Sequence, residues 1–154
     1  MPPTSVSPGT PGAAAPAPAS APAAPLTIER ITVAAGRIHC EVSVAQNCAF
    51  TTPELAQRTQ SAFPSLSRHA CVNDIGDTFG AVIKHTSLPH LLEHLVIDAQ
   101  TRACPDATKV FLGTTHWLDK THTKAHIAVN FTDDLVALRA FRDSAEFLNR
   151  EVIK

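Results

Sequence analysis

The chain has 154 residues, a formal charge of −1 and 13 lysines and arginines against 14 acids. That length sets one domain as the expectation, and the balanced charge with no basic cluster excludes a nucleic-acid footprint. No stretch reaches the roughly 20 apolar residues of a membrane helix, and no glycine-rich phosphate loop with a following lysine occurs.

Residues 1–25 are almost wholly Pro, Ala, Ser, Gly and Thr. Such a segment lacks the apolar groups that offset ordering entropy, so a disordered tail is expected there and a folded domain over 26–154. It has no basic start and no Leu/Val/Ile run, unlike a signal peptide, so the expectation is a cytoplasmic protein. The four cysteines form no C-x-x-C pair and read as free thiols, small and buried.

In chain order, Leu26–Ala34 and Arg37–Ala45 read as a strand hairpin turning at Ala35-Gly36. In the second run Ile38, Cys40, Val42 and Val44 alternate with polar residues. Thr52-Pro53-Glu54 starts a helix: a hydroxyl cap, a first-turn proline and an acid, running to about Ala62. Residues 68–72 are expected as a short strand, 73–77 as a turn and Thr78–Lys84 as a helical turn. Ser87 or Thr86 caps a central helix over 87–104, with Leu88, Leu91, Leu92, Leu95, Val96 and Ala99 at helical spacing. Strands are expected at about Thr108–Gly113 and Lys124–Phe131. Thr132-Asp133-Asp134 caps a last helix to about Val152, with Leu135, Leu138, Phe141, Ala145 and Leu148 as its apolar stripe. The architecture expected is α+β: a mixed or antiparallel sheet of four to five strands with three helices mainly on one face.

The central helix carries His90-Leu91-Leu92-Glu93-His94. At about 100° per residue, His90, Glu93, His94 and Asp98 share one face and the leucines lie nearly opposite. Two imidazoles four residues apart can aim at one ion, and H-x-x-E-H is the inverzincin order. The reading is therefore a metal site, with His90 and His94 as ligands, Zn²⁺ as the ion and Glu93 as the base that takes a proton from water. A catalytic zinc takes three protein ligands. Asp98 is the local candidate for the third, and His69, His116 and Glu41 are the distant ones. The alternative is a solvated helix face without chemistry, against which Ile97 on the same face argues for a groove. Thr115, His116 and Trp117 are candidates for lining a substrate pocket. Cys71 beside His69 suggests either a thiol nucleophile or a buried structural cysteine. His122 and His126 are expected mostly exposed.

The segment Leu66–Gln100 resembles the N-terminal domain of cyanophycin synthetases. The resemblance rests on His69-Ala70-Cys71, Thr78-Phe79-Gly80, Thr86, His90 to His94, and Asp98 with Gln100. Phe111-Leu112-Gly113-Thr114-Thr115, the strand Ala125–Phe131 and the closing helix extend it over about residues 27–152. Asp98 stands where the family usually has glutamate, and Thr115-His116-Trp117 stand where charged residues are common. The resemblance implies a domain without the ligation domains of the full synthetase. It further implies a metal-dependent hydrolase of a peptide-like aspartate–arginine polymer, with His90 and His94 on the metal, Glu93 as base and His69 ahead of Asp98 as third ligand. Asp74, Asp77 and Asp119 are candidates for binding charged substrate side chains. The alternative function is a non-catalytic binding or accessory module for a polymer, a small peptide or a separately encoded ligase.

Overall fold

The computed structural model describes residues 14–15 and 24–154, so most of the expected tail lies outside the described residues. Two strands open the fold, β1 (Leu26–Ala34) and β2 (Arg37–Val44), joined where Gly36 adopts a φ of 72° that a side chain would strain. Helix α1 (Pro53–Ala62) begins as expected: the Thr52 hydroxyl accepts from the Leu55 amide at 3.2 Å, with proline in the first turn. Helix α2 (Leu88–Ala103) is capped by the Ser87 hydroxyl, which accepts from the His90 amide at 3.2 Å. Strands β3 (Gly113–Trp117) and β4 (Lys124–Asn130) come next, and α3 (Asp134–Val152) starts where the Asp133 carboxylate accepts from Leu135 and Val136.

The sheet is antiparallel throughout, in the order β1-β2-β4-β3. Its inner face is a row of buried side chains, Ile38, Cys40, Val42, Ala125, Ile127 and Val129, and α2 and α3 pack over it. The architecture is α+β, as expected. Asn149 on α3 clamps the sheet's first strand, donating to the Leu26 carbonyl at 2.8 Å and accepting from its amide at 2.9 Å. Phe141 and Leu148 carry the α3 stripe into the core, while Leu135 points out and Ala137 takes the buried place.

Two strand expectations are corrected. The strand expected over residues 108–113 lies at Gly113–Trp117, one strand length further on. Residues 108–111 have no ladder to join, and Leu112 only begins one through its carbonyl: the Asp106 carboxylate accepts from the Thr108 amide and hydroxyl, and the Asn130 side chain takes up the Leu112 amide and the Val110 carbonyl. The neighbouring β4 ends at Asn130, before the α3 cap. Residues 64–68 form a turn of 3₁₀ helix begun by Pro64. The strand expected over 68–72 is reduced to a single bridge, Ala70 with Thr78. That bridge holds an extended 69–72 segment against α2.

Candidate metal centre

Helix α2 is buried on nearly every side. Glu93 is 4% exposed, His94 3% and Asp98 2%, which removes the solvated-face alternative. The leucines face the core and sheet. The histidine face looks into a cleft of about 740 Å³ between the 69–72 segment, α2 and residues 109–115.

Each helical imidazole is fixed through its Nδ1. The Thr86 hydroxyl lies 2.9 Å from His90 Nδ1, and His69 Nδ1 lies 3.1 Å from His94 Nδ1. The Phe79 ring stacks on His94 with centroids 4.0 Å apart and meets His90 edge-on at 5.1 Å. With both Nδ1 atoms engaged, Nε2 is the nitrogen left for another partner on each ring, and both histidines line the cleft. Cys71 Sγ lies 3.5 Å from His90 Nε2, and donor atoms of Cys71, His90 and His94 all fall within 4.8 Å of one another. Two ligands on a tetrahedral zinc, at Zn–S about 2.3 Å and Zn–N about 2.0–2.1 Å, stand roughly 3.3–3.6 Å apart. The cysteine–histidine separation is already of that size.

The electrostatics suit ligands. Burial lowers the His90 pKa; burial, then His90 and His69, lower that of His94 to about 3. Both rings are therefore neutral at neutral pH, with lone pairs available. Burial raises the Glu93 carboxyl, and the Thr115 hydroxyl opposes that by donating to Oε2 at 2.5 Å. Glu93 Oε1 stands 4.0 Å from His94 Nε2. A Cβ on Gly113 would come within 2.7 Å of the Glu93 side chain, so β3 passes close to this carboxylate because it has no side chain there.

His69 also lines the cleft, beside His94, and Asp98 is buried next to it. His69 Nε2 is 3.5 Å from Asp98 Oδ1, and Asp98 also accepts from Ser65 and, at 2.8 Å, from Arg102. Burial opposes ionisation of Asp98, but these hydrogen bonds and the Arg102 charge outweigh it and hold the carboxyl down to about 2. The chain Asp98–His69–His94 thus orients the His94 ring, the kind of support that outer partners give to metal-bound histidines. The third donor gathered with His90 and His94 is Cys71. Sequence spacing carries no sign of it, since 19 residues separate it from His90. Only its position two residues after His69, on one extended segment, ties it to this site.

The remaining candidates are dispersed. Thr115 lines the cleft and holds Glu93. His116 lies on the sheet's open face beside His126, ring centroids 5.0 Å apart, and both His122 and His126 are half-buried rather than exposed. Glu41 is paired with Arg30 on the same open face. Trp117 packs with Phe50 and His122. Asp119 organises the β3–β4 turn through Thr121 and Thr123, and neither Asp74 nor Asp77 lines the cleft.

Compared with protein families, residues 37–152 match the cyanophycin synthase-like N-terminal domain. The chain belongs to that family. The match spans β2 to the end of α3 and so includes every residue of the cluster. A comparison with curated proteins returns no match. Within this cyanophycin synthase-like domain the residues fit a metal ion: one thiol and two neutral imidazoles, borderline-soft donors suited to zinc, converge beside a buried carboxylate.

Proposed function

We propose that this domain is a zinc-dependent hydrolase of peptide or isopeptide bonds. The observation that carries the reading is the convergence of Cys71, His90 and His94 next to Glu93 at the floor of an open cleft. Cys71, His90 and His94 would hold the ion, which supplies Lewis acidity for the substrate carbonyl when bound. Glu93 does the proton work. Its carboxylate takes a proton from the attacking water, the water oxygen bonds to the carbonyl carbon, and the carbon–nitrogen bond breaks as Glu93 returns the proton to the leaving amine. Thr115 keeps the carboxylate turned towards the cleft, and the Asp98–His69 pair keeps His94 in place. The family supports a peptide-like polymer of aspartate and arginine as one substrate to assay.

The test joins metal content to turnover. Purified protein binds one zinc per chain, and Glu93→Gln retains that zinc while hydrolysis falls by about 10²–10⁴-fold, the usual worth of a positioned acid–base group. Polymer or ligase binding that persists in chelator, with no turnover by the zinc-loaded protein, would instead establish a non-catalytic module.

A further inference from the structure

β3 is an edge strand, and the edge it leaves open runs along the cleft. In an antiparallel ladder, residues alternate between those that exchange both hydrogen bonds with the neighbouring strand and those whose N–H and C=O point away from it. The Leu118 amide donates to the Lys124 carbonyl at 2.8 Å, and the Asn130 amide donates to the Leu112 carbonyl at 3.2 Å. Even-numbered residues of this stretch therefore bond towards β4. Gly113, Thr115 and Trp117 turn their N–H and C=O to the free edge. Among the described residues, none of these groups enters a backbone hydrogen bond outside the sheet. Such an edge is a template for one more strand. It also lies next to the Glu93 carboxylate, because Thr115 is bonded to Glu93 and Gly113 packs against it.

The cleft's charge complements an uncharged chain. Apart from histidines, its lining among the described residues holds one carboxylate, Glu93, and one amine, Lys109. A guanidinium entering here would meet no carboxylate except the one that the chemistry needs. The rim is apolar and open: Val72 is fully exposed, Val110 68% and Leu112 62%, with Ile97 between them at the floor.

We propose that the substrate chain lies extended along β3 as a fifth strand, bonded to the backbone of Gly113 and Thr115, with uncharged apolar side chains bracketing the scissile bond. The inference rests on the hydrolase reading only for which bond is cut; strand addition is a statement about binding.

Two acetylated, amidated octapeptides test it: one of Ala, Val and Leu with a terminal Gly-Ser pair, the other of alternating Asp and Arg. Binding is measured on zinc-loaded Glu93→Gln protein, which does not consume the probe, and cleavage on the wild type. The apolar octapeptide binds at least about tenfold more tightly, a difference of about 1.4 kcal/mol. It slows hydrogen exchange at the Gly113 and Thr115 amides. N-methylation at alternate positions of the octapeptide weakens binding about tenfold in one register and leaves the other register unchanged. Equal or tighter binding of the Asp-Arg octapeptide, no binding of either, or equal tolerance of both methylation registers overturns the proposal. Register-dependent binding without cleavage by the wild type leaves it standing and overturns the hydrolase reading. Cleavage of the Asp-Arg octapeptide without protection at Gly113 and Thr115 does the reverse.

Discussion

His94 is packed under Phe79, flanked by His90 and contacted at Nδ1 by His69, and this crowding keeps it neutral. Its pKa of about 3 in the fold against 6.5 for the free side chain has a consequence for stability. Between those values the unfolded chain binds a proton that the folded one refuses, so stability rises with pH across the window and is lost as pH falls from about 6.5 towards 3. Asp98, held at about 2 against 3.8, adds a loss in the same direction as pH falls from about 4 to 2. Urea denaturation of the metal-free protein should show both steps, and His94→Gln should shrink the upper one, leaving the share of His90, whose pKa burial also lowers. His69 is expected to act through His94. His69→Ala should weaken zinc binding by about 10–100-fold in a competition titration while leaving one ion per chain. Cys71→Ser, which replaces a donor itself, should weaken it more. The helical trio is legible in sequence because one turn of helix fixes the relative placement of His90, Glu93 and His94. Cys71 is not, because its approach depends on how the 69–78 loop closes over α2.

Among the elements, α2 is the most legible: a hydroxyl cap, a first-turn proline and a leucine period agree, and no strand pattern competes. β3 is the least. Thr108, Val110 and Leu112 alternate as a strand would, yet that pattern has no partner once Asn130 ends β4 and turns its side chain onto the loop. Their place after an expected strand makes Thr115, His116 and Trp117 pocket candidates on a loop, yet neither His116 nor Trp117 lines the cleft. Thr115 does line the cleft, but as part of a strand. The contact between β3 and α2 is close enough to test by one atom. Gly113→Ala places a methyl group within 2.7 Å of the Glu93 side chain, so the carboxylate must move. A displacement near 1 Å at a reacting group costs up to about 10²-fold in rate. Hydrolysis should fall by that order, with zinc content and far-ultraviolet circular dichroism unchanged.

At the scale of the molecule, one core serves both the fold and the site. Leu88, Leu91 and Leu92 are fully buried on the helix that also bears His90, Glu93 and His94. Leu92→Ala should cost about 2–5 kcal/mol in denaturant unfolding, and metal affinity should fall with it as the helix shifts. The hairpins and helix caps are consequences of local sequence, whereas the β2–β4 pairing and the cleft are not, since they join segments that neither periodicity nor capping relates.

Those walls differ in anchorage. Residues 70–78 are tied by one bridge and by the Asn73 side chain, which donates to the Cys71 and Thr78 carbonyls, whereas α2 is embedded in the core. An ion held by Cys71 on one side and two imidazoles on the other would buckle the looser wall to the firmer. Chelation should therefore free residues 70–78 to rapid amide exchange long before the protein melts. Zinc at a hundredfold excess over its dissociation constant should raise global stability by about 2.7 kcal/mol.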